Sequence, residues 1–296
     1  MDKQVLIAVI GDVHDRWEEK DNQALHHLGV DFAIFVGDFG NESIEVVSLI
    51  ANLDIPKAVI LGNHDAWYTA TPWGQKKAPY DRTKEDRVQK QLDILGASHI
   101  GYGKLDLPEF NLSLVGGRPF SWGGSEWKNT EFYNRFFGVS SFEESSAKIL
   151  TQVEQTSCHN LIFVGHNGPF GLGDQPEDTC GRDWSPLEGD HGDPDLAEAI
   201  ERAFEFGKSI PLVTFGHMHH QLRHRKDRLR TIVNKDSRGT VYLNAASVPR
   251  IIESPQGKER NFSLVTLQND LVIKCSLVWL KDNFEIASEK VLYSIS

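Results

Sequence analysis

The chain has 296 residues, of which 40% are hydrophobic and 25% are charged, and its net charge is −11 at pH 7. This composition is ordinary for a globular protein, and the acidic balance argues against a nucleic-acid-binding protein, which needs a basic surface. No run of about 18 apolar residues is present, so no membrane span is predicted. The N-terminal segment also lacks a secretory pattern, and we therefore expect a cytoplasmic protein.

The first third of the chain alternates apolar runs with segments of helical periodicity. Residues 4–10, 31–38 and 57–65 are apolar, and residues 17–29 and 43–53 between them have helical spacing. Apolar strands separated by helices indicate a buried sheet built from βαβ units. Each of these strands ends in glycine followed by a polar residue, which is the position where α/β sheets bind ligands.

The middle of the chain contains two segments rich in aromatic residues and glycine, near 66–83 and 117–139. A helix over 84–96 and a strand over 111–117 are predicted between them. The aromatic side chains either form a rim that stacks on a substrate group or pack in the core for their area alone.

Further along, the sequence predicts a helix over 141–153, since Ser141 and Glu144 form a capping box. Strands over 160–168 and 211–220 again end in Gly-His. Between them lies a long loop, 169–193, which is followed by a helix. A loop of this length in a compact domain is usually functional or mobile.

After His220 the chain becomes rich in strands, and we expect antiparallel meanders there. The polar motifs are spread over most of the length and must converge, which favours one domain over residues 1–296, with inserted loops near 66–83, 117–139 and 169–193.

Five short polar motifs stand at the predicted strand ends. They are Gly11-Asp12-Val13-His14, Gly37-Asp38-Phe39-Gly40-Asn41, Gly62-Asn63-His64-Asp65, Gly165-His166-Asn167 and Gly216-His217-Met218-His219. Each begins with glycine, which lets the backbone turn tightly beside a ligand. The carboxylate, amide and imidazole groups that follow suit a divalent metal, with Mn, Fe, Zn or Ni preferred over a thiolate-loving ion.

In this order, the motifs resemble those of the calcineurin-like metallophosphoesterase superfamily. The resemblance runs from Asp12 to His219 and implies an α/β fold, specifically a four-layer αββα sandwich with two mixed β-sheets. It also implies a dinuclear metal site at the carboxyl ends of the strands. Two divalent ions are expected, with Mn first and Fe, Zn, Ni or Mg as alternatives.

The resemblance also assigns the ligands. Asp12, His14 and His219 would hold the first metal, Asn63, His166 and His217 would hold the second, and Asp38 would bridge the two. One carboxylate between two cations reduces their repulsion, and a water held between them loses a proton near neutral pH. The spacing of two between His217 and His219 predicts that both face the site. His220 is then expected on the opposite side, as a polar surface residue or a neighbour of the ligands.

Two residues of the third motif are assigned to catalysis by the same resemblance. His64 would donate a hydrogen bond to the phosphate and protonate the leaving oxygen. Asp65 would orient His64 and raise its pKa, and it is also compatible with capping the segment that follows.

Several basic residues and one further histidine are open to two interpretations each. Arg118 and Arg250 follow strands, and each either binds a substrate phosphate or is an ordinary structural arginine. His191 is either a third-site ligand or lid residue, or a solvated loop histidine. The basic run 221–230 either draws anions toward the site or, as we prefer, forms a solvated hairpin face.

The predicted function is a metal-dependent phosphoesterase, and within that class a phosphomonoesterase acting on a small phosphorylated substrate. A phosphodiesterase or nucleotide pyrophosphatase is the alternative, and a scaffold of the same fold that binds a protein partner is a third hypothesis. Nucleic acid and membrane are not expected as partners.

Overall fold

The computed structural model describes residues 4–255 and 257–295. The strands, in chain order, are β1 (Gln4–Ile10), β2 (Phe32–Phe35), β3 (Lys57–Val59), β4 (Lys104–Leu107), β5 (Leu112–Gly116), β6 (Asn160–Val164), β7 (Ser209–Phe215), β8 (Val233–Lys235), β9 (Val241–Asn244), β10 (Ile251–Ser254), β11 (Gly257–Gln268), β12 (Leu271–Lys281) and β13 (Ile286–Ser294). The helices are α1 (Glu19–Leu28), α2 (Ile44–Ala51), α3 (Pro72–Gln75), α4 (Arg87–Leu95), α5 (Thr130–Phe137), α6 (Phe142–Glu154) and α7 (Pro194–Glu205). No helix in these ranges is both long enough and apolar enough to cross a membrane.

The strands form two mixed sheets. The first has the order β13-β12-β11-β1-β2-β3, with β10 added beside β11, and only the neighbouring pairs β1·β2 and β2·β3 are parallel. The second has the order β4-β5-β6-β7-β9-β8, in which β5, β6, β7 and β9 are parallel. Antiparallel strands at the sheet edges complete both. The prediction of two mixed sheets is therefore confirmed.

The side chains of β1 show how the layers are arranged. Ile7 and Val9 belong to the apolar cluster that joins the two sheets, together with Leu212 of the second sheet. Ala8 and Ile10 point the other way, into a cluster that also contains buried side chains of the helices. Because successive residues of a strand face opposite sides, an all-apolar strand can pack on a sheet and a helix layer at once. The result is the predicted αββα sandwich.

The strand ends align where the polar motifs begin. Ile10 pairs with Phe35, and Phe35 pairs with Val59, so the first three motifs leave the same edge of the first sheet. In the second sheet, Val164 pairs with Thr214, so the two Gly-His motifs also leave one edge together. This register is what brings residues far apart in sequence to one place.

The sequence interpretation differs from the structure in a few elements. The short strand β4 and the aromatic helix α5 lie in segments where no element was predicted. The predicted strand 57–65 ends at Val59, and residues Asn63–Ala66 form a single 3₁₀ turn instead. One half of the capping box predicted for α6 is present, since Oγ of Ser141 accepts a hydrogen bond from the Glu144 backbone N–H, whereas the Glu144 carboxylate accepts from the backbone N–H of Ser140 in place of Ser141.

Candidate dinuclear metal centre

The first group of possible ligands consists of Asp12, His14 and His219. Nε2 of His219 lies 3.0 Å from Oδ2 of Asp12 and 3.2 Å from Nε2 of His14. The ligand atoms of the three residues lie within 4.8 Å of one another. A carboxylate oxygen and two imidazole nitrogens that converge so closely form a typical donor set for a divalent transition metal.

The second group consists of Asp38, His166 and His217, with Asn63 beside them. Nδ1 of His166 lies 2.7 Å from the backbone oxygen of Val36 and donates to it, which leaves Nε2 as the free acceptor. That Nε2 lies 3.0 Å from Oδ1 of Asn63 and 3.3 Å from Oδ1 of Asp38. The ring is therefore oriented with its lone pair toward the other ligand atoms.

Asp38 connects the two groups. Its carboxylate also lies within 4.8 Å of ligand atoms of His14 and His64, so it faces both halves of the centre. The backbone N–H of His64 donates to its Oδ1 at 2.9 Å, which fixes the carboxylate. This is the position that a bridging ligand requires.

The backbone around these residues is unusual for side chains other than glycine. Asp12, His14, Asp38 and His217 have φ values of 50°, 47°, 57° and 66°, all in the left-handed region. Such conformations cost energy and concentrate at functional sites, where the surrounding structure enforces them. The sequence spacing predicted an extended segment at His217, but its left-handed backbone directs it toward His166, while His219 faces Asp12.

Glycine is required beside the carboxylates because there is no room for a side chain. A Cβ on Gly62 would lie 2.3 Å from Oδ1 of Asp38, and a Cβ on Gly216 would lie 2.3 Å from Oδ1 of Asp12. The glycine that opens each of these motifs therefore lets the backbone approach a carboxylate directly.

The electrostatics of the centre fit cations. Burial and the negative charge of Asp12 raise the pKa of Asp38 well above its ordinary value. Burial opposes the ionisation of Asp12 as well, but the neighbouring His219 outweighs it and brings the pKa of Asp12 below its ordinary value. Two buried carboxylates in one site repel each other, and bound positive charge removes that cost.

One buried oxygen in the first group has no hydrogen bond. Oδ2 of Asp12 is inaccessible to solvent, and no donor is aligned on it within residues 4–255 and 257–295. The Nε2 atoms of His14 and His219 face each other at 3.2 Å, and Nε2 of His219 lies 3.0 Å from this oxygen. A buried acceptor without a donor beside two imidazole nitrogens is explained by a cation, so the residues present fit a metal site.

His64 is positioned by a different residue from the one expected. Its Nδ1 lies 2.7 Å from Oδ1 of Asn41, and burial, with the nearby His14, lowers its pKa to about 4. The expectation that Asp65 orients His64 and raises its pKa is therefore corrected. The carboxylate of Asp65 instead accepts the backbone N–H groups of Asp38, Phe39 and Gly62.

Arg118 does not reach the site. It is buried, its Nη2 lies 2.8 Å from Asp193, and its Nε lies 2.9 Å from Asp195. Its guanidinium fastens the loop that ends at Asp193 and the start of α7 to the segment after β5. The expectation that it binds substrate phosphate is corrected, because its charge is already neutralised inside the protein.

Arg250 has a similar structural position. It is also buried, and its Nη1 lies 2.7 Å from Oδ1 of Asp21 in α1. The guanidinium lies over the ring of Trp17, 4.6 Å from its centroid. The substrate-binding expectation for Arg250 is therefore corrected as well.

Two histidines outside the ligand groups, His220 and His191, are both hydrogen-bonded to backbone oxygens. His220 is buried and its Nε2 lies 2.9 Å from the backbone oxygen of Asn244, so it is not a surface residue. His191 is half-buried rather than solvated, and its Nε2 donates to the backbone oxygen of Trp122 at 3.0 Å. Its ring is stacked parallel to that of His217, with the centroids 6.2 Å apart.

A cavity of about 350 Å³ opens over the candidate centre. It is lined by Asp38, Asn63, His64, Trp67, Trp122, Lys128, Trp184, His191, His217, His219 and Arg223. The three tryptophans come from the three predicted loop insertions, and Lys128 comes from the second of them. Sequence reasoning identified these loops but did not single out Trp184, Lys128 or Arg223, because nothing local distinguishes a residue that faces a cavity from one that faces solvent.

The arginines of the basic run 221–230 have different partners and different burial in the structure. Arg225 and Arg228 pair with Glu177, and Arg230 is buried against Asp183. Arg223 is exposed and has no ion pair within the part of the chain that the structure describes. The preferred interpretation, a solvated face, therefore holds for the exposed Arg223, Lys226 and Arg228 and fails for the buried Arg230. Arg223 also lines the cavity.

The comparison with protein families agrees with the geometry. The sequence profile described as Calcineurin-like phosphoesterase matches residues 5–221, which is more than half of the chain. The chain belongs to the calcineurin-like phosphoesterase family. No curated protein sequence matches it.

Solved structures share the fold at low sequence identity. A dimetal phosphatase from Danio rerio is 11% identical with a TM-score of 0.50, covering 98% of this chain and 99% of the other. The protein TT1561 of Thermus thermophilus is 10% identical with a TM-score of 0.50, covering 98% of this chain and 100% of the other. At these identities the likeness concerns the fold alone.

Proposed function

We propose that the protein is a dinuclear-metal phosphomonoesterase that hydrolyses the phosphate ester of a small molecule. The observation that carries the proposal is the cavity of about 350 Å³, which is lined at once by residues of both ligand groups and by His64. Its volume is at the lower end of small-molecule sites. The chain's net charge of −11 supports a small substrate over nucleic acid.

The metal ligands in the proposal are those of the two groups. Asp12, His14 and His219 would hold one ion, Asn63, His166 and His217 the other, and Asp38 would contact both. Such ions supply charge stabilisation of phosphate oxygens and a water of lowered pKa. Mn is the first candidate, because the donor set is imidazole, carboxylate and amide without thiolate.

The chain's own residues have three further tasks in the proposal. His64 lies at the cavity with its Nδ1 donating to Asn41, so Nε2 is the atom that would face the leaving-group oxygen. To donate there, His64 would have to be protonated at both nitrogens, a form that the negative charge of a bound phosphate favours. Arg223 would bind a phosphate oxygen, since its guanidinium has no carboxylate partner within the described ranges. Asp65 holds the backbone of two motifs in place and takes no part in proton transfer.

Hydrolysis of three substrates tests the proposal, measured as p-nitrophenolate release from the two nitrophenyl esters and as phosphate release from pyrophosphate. The purified protein, loaded with Mn²⁺, is assayed with p-nitrophenyl phosphate, bis-p-nitrophenyl phosphate and inorganic pyrophosphate. We expect turnover of the monoester, and Asp38→Asn should abolish it. The exposed Asp54, substituted by asparagine, serves as the matched control and should retain the activity.

Each alternative predicts a different result in this assay. Fast diester cleavage without monoester turnover would establish a phosphodiesterase, and release from pyrophosphate alone would establish a pyrophosphatase. A protein that contains no metal after exposure to Mn²⁺, and that hydrolyses none of the three, would be a scaffold of the same fold.

A further inference from the structure

Three tryptophans at the cavity are not used by the core. Trp67, Trp122 and Trp184 are half-buried and line the cavity. None of them belongs to, or packs against, the two apolar clusters found in the described residues, whereas Trp17 and Trp127 do. Tryptophan offers its large area either to a core or to a ligand. Three tryptophans from three separate loops that converge on a cavity indicate a ligand.

We call Trp67, Trp122 and Trp184 the tryptophan wall of the cavity, and its first member, Trp67, lies against His64. The ring of His64 stacks on that of Trp67, with centroids 4.5 Å apart and an interplanar angle of 11°. Trp67 in turn stacks on Trp122, at 5.4 Å and 19°. The stack therefore begins at the residue that would contact the leaving oxygen and continues through Trp67 to Trp122. A group stacked on this wall belongs to the leaving part of the substrate, not to the transferred phosphoryl group.

The remaining tryptophan, Trp184, lies beside Arg223. Trp184 contacts the edge of His191, with centroids 4.8 Å apart, and the guanidinium of Arg223 lies 5.2 Å from its ring centroid. Lys128 also lines the cavity, and its ammonium donates only to the backbone oxygen of Gly123, at 3.3 Å, within the described residues. The cavity thus combines flat apolar surfaces with two cations, although the chain as a whole is acidic.

We propose that Trp122 and Trp184 select phosphomonoesters whose leaving group carries a flat aromatic ring system, with nucleoside monophosphates as the class that fits. Base stacking on aromatic side chains is favourable for any nucleobase, because every base has a π face. The sugar would span the distance between the ring and the phosphate, and the cations would face the phosphate. This inference rests on the proposed phosphomonoesterase function and adds its substrate class.

A pair of substrates that differ only in the base tests the inference. kcat/KM is measured with the Mn²⁺-loaded protein for adenosine 5′-monophosphate and for ribose 5-phosphate. The wild type should prefer the nucleotide by about tenfold or more, and Trp122→Leu should reduce this ratio at least about fivefold. Trp184→Leu should act in the same direction and replaces Trp122→Leu if the latter does not fold.

The matched control is Trp279→Leu, since Trp279 is a half-buried residue of β12 and does not line the cavity. It should leave the ratio within about twofold of the wild type. A wild-type ratio near one, or a ratio unchanged in both cavity variants, would overturn the inference while phosphate release itself still supports the proposed function. No release from either substrate, or from p-nitrophenyl phosphate, would overturn both.

Discussion

The backbone N–H of His217 donates a hydrogen bond of 2.9 Å to Oδ1 of Asp12, a residue 205 positions earlier in the chain. This bond joins the first motif of one sheet to the last motif of the other. It also holds the Asp12 carboxylate so that its second oxygen faces His219 and His14. The positions of the two ligand groups therefore depend on each other, because this bond forms only when the two sheets are packed together.

Asp38 is the residue whose loss should affect both groups. Asp38→Asn removes the charge that faces the two of them, and we expect the metal content to fall below two ions per chain. Activity should fall by more than about 100-fold, which exceeds the usual effect of residues that only support a ligand. Elemental analysis and phosphate release measure these two quantities. An Asp38→Asn protein that holds two ions and retains its activity would contradict the bridging role.

Substitution of Asp65 should lower the stability of the fold, because its carboxylate contacts backbone N–H groups and not the His64 ring. Asp65→Ala leaves three buried backbone N–H groups without an acceptor, and we expect the free energy of unfolding to fall by about 3 kcal/mol or more. Urea denaturation of the metal-free protein measures this change.

Asn41→Ala is the matched comparison, since Asn41 contacts the His64 ring and is exposed. It should lower kcat while changing the free energy of unfolding by less than about 0.5 kcal/mol. The reverse pattern, with a stable Asp65→Ala protein whose kcat falls, would restore the original assignment of Asp65.

Arg118 should also prove to be structural. Arg118→Met leaves the buried carboxylates of Asp193 and Asp195 without a cation, and we expect the free energy of unfolding to fall by about 3–5 kcal/mol. Adding Asp193→Asn and Asp195→Asn to this variant should recover part of the loss, because the uncompensated charges are removed. A stable Arg118→Met protein with a KM raised tenfold would instead indicate substrate binding.

Arg223 is the arginine expected to contact the substrate. Arg223→Gln should raise KM for a phosphomonoester about fivefold to tenfold, as is typical when a charged hydrogen bond at a partly exposed site is lost. Arg228→Gln is the control from the same basic run, since Arg228 is paired with Glu177 outside the cavity. Steady-state kinetics at low and moderate salt compare the two. Equal effects of both substitutions would indicate general attraction of anions by the run instead of a specific contact.

The fold could be predicted from sequence because its signals are local. Apolar runs such as 4–10 and 160–164, each followed by glycine and a polar residue, already specify a buried strand and the turn at its end. The cap of α6 at Ser141 is local in the same way. The strand β4 was missed because it has only four residues, and the helix α5 was missed because the many glycine and aromatic residues of 117–139 indicated a loop, although Phe132, Tyr133, Phe136 and Phe137 have helical spacing.

The sequence by itself determined which polar residues stand at strand ends, and hence the candidate ligands from Asp12 to His219. Only the tertiary structure decided which partner each side chain meets. In the folded protein, His64 is hydrogen-bonded to Asn41, Arg118 forms ion pairs with Asp193 and Asp195, and Arg250 forms an ion pair with Asp21. It also gathered Trp67, Trp122 and Trp184 from three loops around one cavity. The physical reason is that a residue's type and its neighbours in sequence set the backbone locally, whereas burial and pairing depend on segments that only folding brings together.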